Sequence, residues 1–355
     1  MIHSVIMAGG IGSRFWPMSR RAKPKHLLPL INSTPLIEAT INRIKPLTPD
    51  GWISIVTNEY QKRRIQEILP DLQDHNFITE PFGRNTAPCI GLSAVNIRHQ
   101  DPKAVMIVLP ADHIIDDDES FRTCLTKAVG VASEGKSLVT IGIPPTRIET
   151  GYGYIQRNAV IDAQDKVYQV KTFAEKPNYE TAQRFIESGD FYWNSGIFIW
   201  RVDLILDYYR KFLPDLYVQL CDVEKHLGKE SYRKNLRRVY KSTKNISIDY
   251  GIMERAPSVN VIEGHFGWGD IGSWEEAFRR SKKDPDNNAA VGEHIFYKSS
   301  ECYVNSPKKF VAVVGMKDVI IVESGNALLV CDRSRAQDVK EVVEKLERDN
   351  AKRLL

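Results

Sequence analysis

The sequence has few cysteines, no long apolar run and no block of like charges, and each absence excludes a class of protein. Its five cysteines stand apart without a CxxC pair or metal-ligand spacing, so neither a disulfide framework nor a zinc site is indicated. No apolar stretch approaches the roughly 20 residues of a membrane span, and the first residues do not resemble a secretory signal. We therefore expect a cytoplasmic protein that does not bind membranes.

The chain also lacks a large excess of positive or negative charge. The 49 basic and 45 acidic residues leave a formal net charge of +4 and are spread along the whole chain. Because there is no basic arm or block, no nucleic-acid partner is expected. A small anionic substrate remains compatible with this balance, since it needs only a local positive pocket. A hydrophobic fraction of 42% is ordinary for a globular protein and excludes the disordered and fibrous classes.

Short apolar runs rich in β-branched residues alternate with amphipathic stretches up to about residue 145. The predicted strands are His3–Ala8, Trp52–Thr57, Asn76–Glu80, Val105–Leu109 and Leu138–Ile143. The predicted helices are Pro35–Ile44, Glu59–Leu69, Ala87–Arg98 and Ser120–Ala132. This alternation predicts an α/β fold with a doubly wound, mainly parallel (Rossmann-like) sheet, whose ligands bind beyond the carboxyl ends of the strands.

The second half of the chain follows a looser pattern. From about residue 150 we expect an insertion that covers a sheet edge, and the turn cluster Asp284–Asn288 predicts a domain boundary. A catalytic domain would span residues 1–283 and a small β-coil capped by a helix residues 284–355. The predicted elements of this tail are three strands and a charged helix, at Phe310–Val314, Val319–Val322, Ala327–Val330 and Arg335–Arg348. The tail offers a surface for self-association, so a homodimer is one expected assembly.

A glycine-rich turn follows the first strand and carries two cations. Glycines at a strand end let backbone N–H groups surround phosphate oxygens, and Arg14 and Lys25 are spaced to reach a polyphosphate from the same loop. A P-loop would need Lys-Ser/Thr after its second glycine, and a dinucleotide fingerprint would need a third glycine where Phe15 stands. Both motifs are disfavoured, while a plain β–α turn fits the glycines alone equally well.

Two aspartates far apart in sequence stand where metal ligands are expected. Asp112 follows the strand Val105–Leu109, and Asp270 lies between glycines in the aromatic run Phe266–Trp274. Mg²⁺ commonly takes one or two carboxylates together with substrate phosphates and water. Asp112 also fits a turn or a helix cap, whereas an aspartate between glycines in an aromatic run is harder to explain as mere surface.

The loop residues carry a family resemblance. Phe15-Trp16-Pro17 and Lys23-Pro24-Lys25, within the segment from Met7 to Leu30, resemble the signature loop of the sugar-nucleotide pyrophosphorylases. The resemblance continues to about residue 275 in the family's order, through Thr79–Pro88, Glu149–Tyr154, Phe173–Pro177 and Phe191–Phe198. It implies a nucleotidyltransferase, and the form of the loops is that of the guanylyltransferase branch. The implied substrates are GTP and mannose 1-phosphate, and the implied cofactor is Mg²⁺.

The resemblance also implies roles for single residues. Arg14 and Lys25 would neutralise the triphosphate and the charge developing at the α-phosphorus, and Asp112 and Asp270 would hold the metal. The nucleotide-binding set is Ala8, Gly9, Gly10, Gly12, Ser13, Glu80, Arg84 and Asn85, and the set for the sugar phosphate is Gly153, Glu175, Lys176 and Asn194. We expect Glu80 to accept both adjacent donors of guanine, N1–H and the exocyclic amine. Asp249 is interpreted as structural or as a support for ligand-binding residues.

Three other interpretations stay open on the residues alone. One is a nucleotidyltransferase for another base or sugar 1-phosphate, and another is a catalytically silent regulatory subunit that senses nucleotide sugars. The third is a nicotinamide oxidoreductase, which the missing third glycine disfavours. Taken singly, Glu175-Lys176 also fits a solvated ion pair, and the aromatic residues around Asn194 also fit the core of a strand.

Overall fold

The structure is a computed structural model that describes residues 1–31 and 33–355. The chain folds into two compact units, each built from two segments. The first unit comprises Met1–Gly9 and Ile41–Gly269, and the second comprises Gly10–Thr40 and Asp270–Leu355. No helix within the described residues has both the length and the apolar character to cross a membrane.

The chain up to residue 270 alternates strands with helices. The strands are β1 (Ile2–Met7), β2 (Ile53–Thr57), β3 (Phe77–Thr79), β4 (Val105–Pro110), β5 (His113–Ile114), β6 (Leu138–Ile143), β7 (Tyr154–Asp162), β8 (Val167–Ala174), β9 (Phe191–Arg201), β10 (Val259–Glu263) and β11 (Gly269–Asp270). The α-helices are α1 (Leu36–Ile44), α2 (Glu59–Ile68), α3 (Thr86–Gln100), α4 (Asp118–Ser133), α5 (Tyr179–Ser188), α6 (Val202–Phe212), α7 (Pro214–Glu224) and α8 (Tyr232–Ser242).

The first unit contains a nine-stranded sheet in the order β3-β2-β1-β4-β9-β6-β10-β8-β7. Strands β3, β2, β1 and β4 are parallel, as are β6 and β10. The predicted doubly wound α/β fold is confirmed. The expectation that the chain beyond residue 150 covers a sheet edge holds for β7 and β8. It is wrong for β9, which lies antiparallel between β4 and β6 in the middle of the sheet.

The position of β9 follows from its composition. Phe198 and Trp200 are buried on one face of this strand, where their rings stack with centroids 5.5 Å apart, and Ile197 and Ile199 are buried on the other face. Such a run is apolar enough to be covered on both faces, which suits a central strand. On the same side of the sheet, Gly91 in α3 lets Leu220 approach, since a Cβ on Gly91 would lie 2.5 Å from the Leu220 side chain. The core therefore fixes the strands whose ends carry the site residues.

The second unit is built largely of short strands joined by turns. Its elements beyond residue 270 are α9 (Trp274–Arg280), β12 (Ala289–Val291), β13 (His294–Tyr297), β14 (Tyr303–Asn305), β15 (Val311–Val314), β16 (Val319–Ser324), β17 (Ala327–Asp332) and α10 (Val339–Arg348). Strands β12, β14 and β16 stack in parallel, as do β13 and β15, around Cys302, Val304 and Val313. This arrangement confirms the predicted β-coil. The predicted helix begins at Val339, because a 3₁₀ turn occupies residues Arg333–Asp338.

Candidate active site

Residues 10–25, here called the signature loop, turn back on themselves within the second unit. Gly12 has φ +76°, and a Cβ at this position would lie 2.3 Å from the Cβ of Lys25. Only glycine tolerates both the left-handed backbone and this close approach. The Lys25 N–H donates to the carbonyl of Ile11 at 2.9 Å, and the Ser19 hydroxyl donates to the same carbonyl. The loop thus brings its glycine turn directly against Lys25.

Lys25 meets Asp270, a residue 245 positions away in the sequence. The Lys25 ammonium donates to Oδ1 of Asp270 at 3.1 Å, with side-chain exposures of 7% and 37%. The ammonium also lies 5.7 Å from the centre of the Phe15 ring, and Phe15 packs edge-on against Trp274. A buried cation next to a carboxylate forms a charged centre to which phosphate or a metal ion can bind.

Arg14 lies in the 3₁₀ turn Ser13–Phe15, which follows Gly12. Its side chain is exposed, and it forms no ion pair with any residue in the described ranges 1–31 and 33–355. An exposed guanidinium without a protein carboxylate keeps its donors available for phosphate oxygens. The predicted pair of cations therefore consists of one buried lysine and one exposed arginine.

Glu80 follows β3 and is almost fully buried. Its side chain is 7% exposed, and Oε1 accepts a hydrogen bond from the hydroxyl of Tyr240 at 3.0 Å. A Cβ on Gly9 would lie 3.9 Å from Oε2, so the carboxyl group reaches the end of β1. Burial raises the pKa of Glu80 to about 7, although the Tyr240 hydroxyl works in the opposite direction. Two predicted nucleotide-binding residues, Gly9 and Glu80, are therefore neighbours.

Arg84 and Asn85 precede α3. The Arg84 side chain donates to the carbonyl of Tyr240 at 3.0 Å and lies 4.9 Å from the centre of the Phe82 ring. Asn85 has φ 69° and ψ −173°, and its side-chain oxygen accepts from the N–H of Thr86 at 2.8 Å, which caps the helix. A non-glycine residue in this backbone region is strained, and such strain is often found at functional sites.

The predicted sugar-phosphate residues converge in the first unit. A Cβ on Gly153 would lie 3.1 Å from Oε2 of Glu175 and 3.5 Å from the Cβ of Asn194. The Asn194 N–H donates to the Gly153 carbonyl at 2.8 Å. Lys176 pairs with Glu175 and has φ 38°, a backbone conformation that is uncommon outside glycine. The motifs around these residues, separate in sequence, form one cluster.

Asp249 contacts this cluster through a hydrogen bond with the side chain of Asn194. It begins a π-helical turn, Asp249–Met253, and its Oδ1 accepts from the amide nitrogen of Asn194 at 2.8 Å. The Asn194 side-chain oxygen accepts from the N–H of Gly196 at 3.0 Å, so both ends of the amide are held. Burial raises the pKa of Asp249, whereas the hydrogen bond from Asn194 lowers it. Single π-helical turns often lie at functional sites.

Asp112 lies between β4 and β5 in the first unit. The preceding Ala111 N–H donates to the Met7 carbonyl at 3.0 Å, which ties this turn to the end of β1. His113 accepts from the indole N–H of Trp268 at 3.2 Å, in line with a packed histidine that is not a ligand. Ala8 also belongs to the end of β1, where its N–H donates to the Val56 carbonyl at 2.8 Å.

Most of the predicted residues thus fall into three local groups. Gly10, Gly12, Ser13, Arg14, Lys25 and Asp270 belong to the second unit. Gly9 and Glu80 form a pair, and Gly153, Glu175, Lys176 and Asn194 form the sugar-side cluster. Ala8 belongs to the end of β1, Arg84 and Asn85 precede α3, and Asp112 lies in the turn between β4 and β5. Sequence reasoning missed Tyr240, which orients Glu80 from 160 residues away and carried no motif that could identify it.

Comparison with known proteins agrees with this geometry. The Nucleotidyl transferase family matches residues 3–287, and the MannoseP isomerase/GMP-like beta-helix domain matches residues 292–346. Two relatives named mannose-1-phosphate guanylyltransferase, from Salmonella muenchen and Escherichia coli K12, are 39% and 38% identical to this chain. Both alignments cover 98% of this chain, and they cover 73% and 74% of the relatives.

A solved structure gives the same result. The crystal structure of "mannose-1-phosphate geranyltransferase" from Thermus thermophilus is 34% identical and superposes with a TM-score of 0.87, covering 98% of this chain and 99% of that chain. The family match extends over more than half of the sequence, and the identities hold over nearly all of it. This chain therefore belongs to the nucleotidyl transferase family and, within it, to the mannose-1-phosphate guanylyltransferases.

Proposed function

We propose that this chain transfers the GMP part of GTP to mannose 1-phosphate, forming GDP-mannose and releasing pyrophosphate. As a member of its family the chain is a nucleotidyltransferase, and the names of its relatives support these two substrates. The structural observation that carries the proposal is the contact between Lys25 and Asp270, which joins the signature loop to a carboxylate 245 residues away. A phosphate-binding loop linked to a metal-type carboxylate suits nucleotidyl transfer.

The chemistry requires no protein nucleophile. A phosphate oxygen of mannose 1-phosphate attacks the α-phosphorus of GTP, a new P–O bond forms, and the bond to the β-phosphate oxygen breaks with pyrophosphate leaving. Reactions of this kind depend mainly on positioning and charge neutralisation. Arg14 and Lys25 would supply the positive charge, and the backbone N–H groups of residues Gly10, Gly12 and Ser13 would bind phosphate oxygens.

We propose Asp112 and Asp270 as ligands of the Mg²⁺ ion that such reactions use. When bound, Mg²⁺ would offset negative charge on the phosphate groups. Asp270 fits this role because it already presents a carboxylate oxygen to a cation, the ammonium of Lys25. No cluster of three or more His, Cys, Asp or Glu side chains suited to a metal occurs among the described residues. A hard cation held partly by substrate oxygens is compatible with so small a set of protein ligands.

Base and sugar would be recognised by two separate groups of residues. Glu80 would accept from the N1–H and exocyclic amine of guanine, with Ala8 and Gly9 beside it and with Arg84 and Asn85 near the ribose or phosphates. Glu175 and Asn194 would bind mannose hydroxyls, while Lys176 would bind the sugar phosphate and Gly153 would contribute its backbone. Their convergence, described above, supports a shared task for the sugar-side group.

We also propose the division into a catalytic domain over 1–283 and a small domain over 284–355, and a homodimer. The ranges of the two family matches, 3–287 and 292–346, support the boundary. Exposed Ile295, Tyr297 and Val314 on β13 and β15 support self-association, since Tyr297 pairs with Val314 in register and places apolar groups side by side. Light scattering after size exclusion would measure the mass of the assembly.

The proposed reaction is tested by pyrophosphate release. The full chain is incubated with Mg²⁺, each of GTP, ATP, UTP and dTTP, and either mannose 1-phosphate or glucose 1-phosphate. The expected result is release that is fastest with GTP and mannose 1-phosphate, and that is lost in Asp112→Ala and Asp270→Ala while circular dichroism stays unchanged. Faster release with another pair would reassign the substrates, and no release with any pair would refute the proposal.

A further inference from the structure

The motif Phe15-Trp16-Pro17 has no role in the chemistry proposed above, yet its central residue is tied to the turn that carries Arg14. The Trp16 N–H donates to the carbonyl of Ser13 at 3.1 Å, and the Phe15 N–H donates to the carbonyl of Gly12 at 2.9 Å. These bonds close the 3₁₀ turn Ser13–Phe15. A displacement of Trp16 would therefore displace the backbone of Arg14.

The side chain and carbonyl of Trp16 are held by two other elements of the second unit. Its indole N–H donates to the carbonyl of Leu354 at 2.9 Å, in the 3₁₀ turn Lys352–Leu354. Its own carbonyl accepts from the indole N–H of Trp274, the first residue of α9, at 3.1 Å. Trp16 is only 8% exposed, so the bond from Trp274 is buried and the bond to Leu354 is partly buried.

Arg20 makes a second connection to the same turn. Its guanidinium donates to the carbonyl of Arg353 at 3.3 Å and to the carbonyl of Ser324 at 3.1 Å. Its Nε donates to the carbonyl of Pro17 within the loop at 3.0 Å. One rigid, charged group therefore joins the signature loop to residues more than 300 positions away.

Packing between the loop and α10 is incomplete. A cavity of about 280 Å³ lies between Ile11, Gly12 and Ser13 of the loop and Lys340, Val343 and Glu344 of α10. Where side chains do not fill the space, van der Waals contact cannot set the distance between the two elements. The hydrogen bonds of Trp16 and Arg20 therefore supplement the packing of Phe15 against Trp274 and the ion pair of Arg21 with Glu347 in holding the loop.

We propose that the turn at residues 352–354 is a clamp that sets the position of Arg14, and that Trp16 and Arg20 are positioning residues of the transfer reaction. This inference rests on the proposed function, because it assigns to Arg14 a role at the reacting phosphates. Small displacements of groups that align a reaction lower the rate strongly even when binding persists. Losing the clamp should therefore lower kcat, with little effect on the KM for mannose 1-phosphate.

The test is a double-mutant cycle between Trp16 and Arg14. Trp16→Phe keeps an aromatic ring but removes the N–H donor, and we expect it to lower kcat about tenfold at a temperature well below its Tm. If Trp16 acts through Arg14, the same change in an Arg14→Lys background should lower kcat less than about twofold. Equal losses in both backgrounds, or no loss in the wild-type background, would overturn the inference.

Arg20 gives an independent route should Trp16→Phe fold poorly. Arg20→Met should lower kcat to a similar extent, and Arg20→Lys, which keeps one donor, should recover part of the rate. The control is Arg210→Gln, which removes an ion pair with Asp207 at 2.8 Å between side chains that are 66% and 65% exposed. This control should leave kcat unchanged. An inactive wild type would refute the proposed function itself, whereas an active wild type with additive losses would refute only the clamp.

Discussion

The ammonium of Lys25 lies 3.1 Å from Oδ1 of Asp270, so a residue proposed to bind phosphate is already paired with a residue proposed to bind metal. A divalent ion at Asp270 would repel this ammonium, and a triphosphate would attract both cations. If Asp270 binds the metal as proposed, Lys25 should compete with the metal for this carboxylate in the protein without nucleotide.

This competition predicts that Lys25→Gln binds Mn²⁺ more tightly than the wild type in the absence of nucleotide. We expect roughly a tenfold lower Kd, which corresponds to about 1.4 kcal/mol. Electron paramagnetic resonance of free Mn²⁺ during a titration measures it. Lys23→Gln removes an exposed lysine two positions away and should bind like the wild type. An unchanged Kd in Lys25→Gln would show that the ion pair does not compete with the metal.

The closeness of Gly12 to Lys25 predicts that Gly12→Ala destabilises the second unit. The left-handed backbone and a Cβ 2.3 Å from that of Lys25 together should cost roughly 2–4 kcal/mol of unfolding free energy. Gly10→Ala is the matched control, since nothing lies within 4 Å of a Cβ there, and its effect should stay within about 0.5 kcal/mol. Urea unfolding measures both, and equal stabilities of the two variants would contradict the loop geometry.

The buried carboxyl group of Glu80 predicts a pH-dependent stability. Its pKa is about 7 in the folded protein against an ordinary 4.5, so the folded state binds more protons between these values. Its stabilising contribution is present below pH 4.5 and is lost as pH rises through 7. Glu80→Gln lacks this loss, so its stability relative to the wild type should rise by up to roughly 3 kcal/mol from pH 5 to 8.

Urea unfolding at several pH values measures this difference. Glu187→Gln, at an exposed position of α5, should follow the wild type throughout. Protonation of Glu80 also predicts that the KM for GTP increases as pH falls below 7, since a protonated carboxyl group accepts poorly from guanine. A stability difference between Glu80→Gln and wild type that does not change with pH would contradict the assigned burial.

The doubly held amide of Asn194 predicts an effect on one substrate only. Asn194→Ala should raise the KM for mannose 1-phosphate about tenfold, the loss expected for one or two hydrogen bonds, and leave the KM for GTP within about twofold. Steady-state kinetics with each substrate varied in turn measures both constants. Asn260 on β10 donates a side-chain hydrogen bond to Ser137, and Asn260→Ala is the matched control that should change neither constant.

Much of the fold is predictable from sequence because its pattern is local. The apolar run at Leu138–Ile143 is bounded by Lys136-Ser137 and Pro144-Pro145, and the structure has β6 over the same residues. The helix predicted at Ala87–Arg98 spans Thr86–Gln100 in the structure. The difference lies at the helix ends, whose exact residues depend on caps and frayed turns. The central place of β9 is not predictable in this way, because pairing with β4 and β6 depends on contacts distant in sequence.

The candidate site also contains residues that local motifs identify and residues that only distant contacts identify. The glycines, Arg14, Lys25 and Asp270 can be identified because motifs mark them. Asp249 accepts a hydrogen bond from Asn194, in agreement with its interpretation from the sequence as structural or supporting. Tyr240 acts through a single hydrogen bond to Glu80, and no local motif marks such a partner. The association of residues 10–40 with residues 270–355 is also not predictable from local sequence. It involves contacts between residues far apart in the chain, such as the hydrogen bond from Trp16 to Leu354.

The central claim, that Lys25 and Asp270 serve one transfer site, is tested most directly by a double-mutant cycle on GDP-mannose formation from GTP and mannose 1-phosphate. We predict that Lys25→Gln and Asp270→Asn each lower kcat/KM at least about 100-fold, and that the double variant is little worse than either, because groups acting as a unit are not additive. Chromatography and mass spectrometry identify GDP-mannose as the product. A kcat/KM near that of the wild type in either single variant would contradict the claim.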